Sequence, residues 1–80
     1  MLSNGKHDAI IAYDSQRDGM FLEVRELGDP LTCSLEIFYS DITKTFSITL
    51  YKEDVELELV EEAIAIAKSR LVIAADKSST

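Results

Sequence analysis

A single cysteine, Cys33, and a single histidine, His7, remove two large classes of chemistry from this chain. One thiol cannot close an intrachain disulfide, and with one imidazole beside it there are too few ligands for a Cys/His zinc cage. The two also stand far apart in sequence, so no Cys–His nucleophile pair is suggested, and a small buried cysteine is commoner than a reactive one. Tryptophan is absent, proline occurs once, and the three glycines, Gly5, Gly19 and Gly28, are isolated from one another. No glycine-rich phosphate cradle can be drawn through them, and no Gly-x-Ser-x-Gly elbow frames a serine. These absences leave no catalytic residue, no cofactor-binding residue and no metal ligand to name.

Basic residues are scarce too. Eight Lys and Arg stand against fifteen Asp and Glu, a net charge of -7. Such a surface repels a phosphate backbone and an anionic bilayer, so neither nucleic acid nor membrane is an expected partner. No apolar run approaches the about 18 residues of a membrane-spanning helix, and the opening "MLSNGKHD" lacks a signal peptide's apolar centre. A cytoplasmic protein is expected. The 80 residues make one domain, and a chain of that size buries only about 60% of its unfolded surface. Its core is small, and a partner would add to it.

What is present is periodicity. Apolar alternation with period two runs to Leu50 and then gives way to a period near 3.6. Strands are expected at about 9–13, 20–27, 33–40 and 45–51, and a helix at about 55–75, with 1–8 and 76–80 as fraying ends. The first strand, "AIIAY", is the shortest, and three strands remain without it. The second alternates Met20, Leu22 and Val24 against Phe21, Glu23 and Arg25. The third sets Leu35, Ile37 and Tyr39 against Glu36, Phe38 and Ser40, and the fourth Phe46, Ile48 and Leu50 against Ser47, Thr49 and Tyr51. The links are too short for parallel crossovers, so the fold class is α+β: an antiparallel meander of three to four strands with one C-terminal helix across one face.

The helix carries two apolar stripes. Leu57, Val60, Ile64, Ala67 and Leu71 form one, the natural choice to face the sheet; Leu59, Ala63, Ile66 and Ile73 form the second. Together they span roughly 200° of the helix, more than the ~100° a surface helix needs. Asp54 is the expected N-cap, and Glu56, Glu58, Glu61 and Glu62 suit the positive end of the helix dipole.

The stretch "YDSQRDGMFLEVRE" begins like a calcium loop, with Asp14, Gln16 and Asp18 at alternate positions and Gly19 at the sixth. The twelfth position, which requires a bidentate Glu, is Arg25, and the flanks read as strands rather than helices. A hairpin turn is expected instead, with Asp18-Gly19 supplying positive φ.

If the helix covers the face of Met20, Leu22, Val24, Leu35, Ile37, Phe46, Ile48 and Leu50 as the core, then Phe21, Phe38 and Tyr51 stand on the opposite face with nothing assigned to cover them. These three, with Leu59, Ala63, Ile66 and Ile73, are the candidate interface residues. The function read from this pattern is a small acidic protein-binding module without catalytic activity: an inhibitor, an adaptor or a self-associating accessory subunit. Its partner would be another protein or a second copy. The alternative is a small hydrolase or ligand-binding protein whose site forms between subunits. Fold-level likeness cannot choose between them, since a meander with one helix serves many functions.

Overall fold

In a computed structural model the described residues are 1–29 and 31–78, the last six by their backbone alone. Four strands and one helix follow in chain order: β1 (His7–Asp14), β2 (Gly19–Glu26), β3 (Cys33–Ser40), β4 (Phe46–Leu50) and α1 (Leu57–Ser78). All neighbouring strands pair antiparallel in the order β1-β2-β3-β4, and the helix packs on β2 and β3. The α+β meander with one covering helix is therefore present, with all four strands formed.

The boundaries moved for local reasons. β1 is eight residues long, because it is zipped to the full length of β2, from His7 opposite Glu26 to Asp14 opposite Gly19. The helix starts later than expected. Asp54 is not its N-cap: it sits at φ 54° in the link, and the first helical amides bond to the Glu56 carbonyl, which Leu59 and Val60 approach at 3.1 and 3.2 Å. Between β2 and β3 the register slips, Val24 facing Leu35 and Arg25 facing Cys33, so that Ser34 is the extra residue of a β-bulge.

The core consists of Met20, Leu22, Val24, Leu35, Ile37 and Tyr39 from the sheet, and Leu59, Ala63, Ala67 and Leu71 from the helix, closed at one side by Leu2. The helical four are spaced strictly by four, one ridge of the i±4 kind. Two are alanines, which lets the helix backbone approach the flat, Leu-rich face of β2 and β3 closely. This corrects the expected packing. The helix seats itself on the boundary between its two stripes, taking Ala67 and Leu71 from one and Leu59 and Ala63 from the other. Leu57 and Ile64, expected inward, are 66% and 37% exposed.

The two flanks of the helix end differently. On the β1 side the chain start folds back: Leu2 is buried, its amide donates to the His7 carbonyl at 2.8 Å, and the Ser3 hydroxyl donates to Glu62 Oε1 at 2.6 Å. Residues read as a fraying end thus wedge between β1 and the helix. On the β4 side nothing equivalent is found among the described residues.

Leu71→Ala is expected to cost about 2–5 kcal/mol, since it empties a fully buried site, whereas Leu57→Ala is expected to cost less than about 1 kcal/mol. Urea melts of both variants check this; equal losses would mean that the stripe carrying both Leu57 and Leu71 faces the sheet along its whole length.

Candidate interaction surface

The outer face of the sheet, turned away from the helix, was expected to offer Phe21, Phe38 and Tyr51. Phe21 and Phe38 stand directly opposite one another on β2 and β3, both half-buried. What covers Phe38 is Arg17, from the β1–β2 turn, whose guanidinium lies 4.3 Å above the ring centre. That guanidinium also donates to both carboxylate oxygens of Glu36, at 2.9 and 3.0 Å, and through Nε to Asp14 Oδ2 at 2.6 Å. Glu36 faces Glu23 across the strands, a like-charge pair that would oppose pairing if left bare. Arg17 neutralises the first and Arg25, bonded to Glu23, the second. The outer face thus carries a layer of ion pairs, with Arg17 over Phe38, and of the three expected residues Phe21 is half-buried and Tyr51 is 58% exposed.

The same geometry settles what the calcium-like loop does. Asp14 Oδ1 accepts from the amides of Gln16 and Arg17, at 3.0 and 3.2 Å, which closes an Asx turn, while Oδ2 holds Arg17. Positive φ falls on Asp18 at 54°, not on Gly19. Gly19 is required for another reason. A Cβ there would stand 2.2 Å from the Tyr39 carbonyl oxygen and 2.5 Å from the edge of the Phe38 ring. The loop is built to bring Arg17 over the sheet.

Of the expected helical interface residues, Leu59 and Ala63 are buried against the sheet and cannot meet a partner, and Ile66 is half-buried beside them. The reason is the rotated seating of the helix. The side chain of Ile73 lies outside the described residues.

The apolar surface that is open lies elsewhere, along β4. Every residue of β4 is exposed, and its inward-turned side chains Phe46, Ile48 and Leu50 are 37, 45 and 54% accessible. A groove of about 240 Å³ runs between them and the helix, lined by Ile37, Phe46, Ile48, Ile64 and Ala67, with Lys68 at its rim. Tyr39 packs against Phe46 with its ring tilted by 47° and the ring centres 4.8 Å apart. Leu57 and Ile64 complete the strip from the helix. Phe46, Ile48 and Leu50 were assigned to the core from their alternation. Their position was nonetheless signalled, because the last strand of a meander is an edge, and "TFSITLY" carries no charge, proline or glycine.

No family model matches the chain, and no curated protein or solved structure matches it either. The surface must therefore be read from its own chemistry.

Several polar groups elsewhere are already engaged. A hollow beneath the helix start is lined by His7, Glu26, Ser34, Lys52 and Glu56. There Lys52 reaches Glu26, and His7 Nδ1 accepts from the Asn4 amide at 2.9 Å. Among the described residues the buried Ser34 hydroxyl has no hydrogen-bond partner. Cys33 is half-buried, burial pushes its thiol up from the ordinary value, and Sγ donates to the Leu35 carbonyl at 3.2 Å. A protonated thiol so placed is a poor nucleophile. Among the described residues no three His, Cys, Asp or Glu side chains are grouped to hold a metal ion, and no helix is long and apolar enough to cross a membrane.

Arg17→Ala would leave the Glu36 carboxylate, only 11% accessible, without its fork; because Arg17 itself is 43% accessible, the expected loss is about 1–3 kcal/mol rather than that of a deeply buried pair. The Arg17 bond also holds the Asp14 carboxyl below its ordinary range. Its contribution is therefore complete above the unfolded aspartate value, near 3.9, and is lost as pH falls through the lower folded value. Stability measured by urea melts should be flat in this respect between pH 5 and pH 8, and Arg17→Ala should blunt its decline in the acid limb. An unchanged acid limb would show that the bond does not form.

Proposed function

We propose that this chain is a small acidic protein-binding module without catalytic activity, acting as an inhibitor, adaptor or self-associating accessory subunit. It works in the cytoplasm, where its lone thiol stays reduced. The observation that carries the reading is the uncovered strip of Phe46, Ile48 and Leu50 beside the groove. These side chains project on the core side of the sheet, yet nothing among the described residues closes over them. Edge strands in stable monomers are usually blunted by charge, proline, a bulge or a covering segment. Among the described residues β4 has none of these, and a protein surface laid against it would bury both the side chains and the outward-facing backbone groups. The charge of -7 lies elsewhere on the surface and favours partners that are neutral or basic around their contact.

The test is hydrodynamic. A tagged chain in extract of its native cell should sediment well above 8.9 kDa, and Ile48→Lys should return it to that mass while leaving its circular dichroism unchanged. Wild type and variant sedimenting alike would remove β4 as the binding surface.

A further inference from the structure

We propose that the partner of β4 is β4 of a second copy, paired antiparallel about Ile48, so that two four-stranded sheets join into one of eight strands with both helices on the same side. This rests on the protein-binding reading above and names its partner. The argument begins with the backbone. In the β3–β4 ladder the Tyr51 amide donates to the Ser34 carbonyl at 2.9 Å, and the Ser40 amide donates to the Thr45 carbonyl at 3.0 Å. Hydrogen-bonded positions alternate along an antiparallel pair, so Thr45, Ser47, Thr49 and Tyr51 turn their amides and carbonyls toward β3. Phe46, Ile48 and Leu50 turn theirs outward. Among the described residues, the strand positions with unpaired backbone groups are thus the same three whose side chains lie on the apolar face.

Those three positions are symmetric about Ile48. A two-fold axis through that point, normal to the sheet, sets Ile48 opposite Ile48 and Phe46 opposite Leu50 of the other copy. Each of these facing pairs is then of the hydrogen-bonded kind, so all six outward-facing groups of each strand are satisfied. Centring the axis on Ser47 or Thr49 leaves part of the strand unpaired. A shift of one residue would turn the apolar side chains to the ionic face. Because the axis is normal to the sheet, the inner faces stay on one side. The grooves then face each other, with Phe46 beside Leu50 of the other copy and Ile64 and Leu57 turned toward its helix.

Three observations favour a second copy over a foreign strand. First, the surface is self-complementary, as a two-fold contact requires. Second, β4 carries no charged side chain, so two chains of charge -7 meet where that charge is absent, and Lys52, beyond the strand end, is already held by Glu26. Third, the area suffices. Phe46, Ile48, Leu50, Leu57 and Ile64 on the helix side of the sheet and Tyr51 on its outer side, at accessibilities of 37 to 66%, together expose on the order of 500 Å². Adding the paired backbone brings this near the ~800 Å² per partner of a standard interface. The other sheet edge offers no equivalent: β1 carries Asp8 and Asp14, and the Leu2 amide occupies the carbonyl of His7.

The test uses the purified full chain. Sedimentation equilibrium at tens of micromolar should give twice 8.9 kDa for the wild type and 8.9 kDa for Ile48→Lys, while Leu31→Lys, which alters an exposed loop residue, should leave the doubled mass intact. The register is read separately, and independently of whether Ile48→Lys folds. In a Cys33→Ser background, Ser47→Cys of one copy should face Thr49→Cys of the other at about 4.5 Å between Cα atoms, within disulfide reach. Like positions would lie about 8 Å apart, beyond it. Mixing the two variants under mild oxidation should give mixed disulfide in about tenfold excess over either homodisulfide. Equal yields, or a homodisulfide in excess, would overturn the register. A wild type that stays at 8.9 kDa when pure but is shifted in extract through Ile48 would overturn the self-pairing and leave the binding reading standing. A chain that stays at 8.9 kDa in both settings would overturn both.

Discussion

One α-helix is about 10 Å across, and four strands spaced at about 4.8 Å make a sheet wider than that, so a single helix cannot roof a four-stranded meander. The rest of the molecule follows from that mismatch. The helix takes the middle, with Leu59, Ala63, Ala67 and Leu71 seated on β2 and β3, and leaves an apolar margin along each edge strand. On the β1 side the chain supplies its own filler, Leu2, pinned by the hydrogen bonds of Ser3 to Glu62. On the β4 side the margin stays open as a groove between Phe46, Ile48 and Ile64. Among the described residues the core numbers eleven, and the uncovered margin is where more apolar burial is to be had.

The opposite face meets a different constraint. A single-layer sheet must present its outer side to water, and here that side includes two phenylalanines and two glutamates directly opposed. Arg17 deals with both through its planar fork: one surface stacks on Phe38, and the edge binds Glu36 and Asp14. Lysine could not do this, having neither a flat face nor parallel donors. Gly19 lets the Phe38 ring lie close against β2, and Asp14 shapes the turn that aims Arg17. A loop that begins like a calcium site is therefore a structural clamp, and the face it covers is unsuited to the base stacking that exposed aromatics on a sheet can serve.

How much of this was legible beforehand differs by element. Alternation in "MFLEVREL" and "CSLEIFYSD" placed β2 and β3 within a residue, because buried strands must alternate or turn their apolar side chains to water. The change of period after Leu50 located the helix. Its start was misplaced because Asp54 satisfies the chemistry of a cap, whereas the link from β4 carries it past that position at positive φ. The candidate surface was only half legible. A need for extra cover could be read from roughly 200° of apolar helix, but it was assigned to Leu59 and Ala63, which are both buried in the core.

By itself, then, the sequence determined which side chains share a face, since that depends only on the periods of strand and helix. It determined as well the hairpin order, from short links, and the lack of charge in β4. The tertiary structure alone decided which of two overlapping helical stripes is buried, because that choice turns on how closely Ala63 and Ala67 let the helix approach the sheet. It decided also which edge the chain start covers, because Leu2 reaches the core through contacts far away in sequence. Periodicity assigns faces; only packing in three dimensions assigns what lies against them, and that is why Phe46, Ile48 and Leu50 read as core in one dimension and stand open in three.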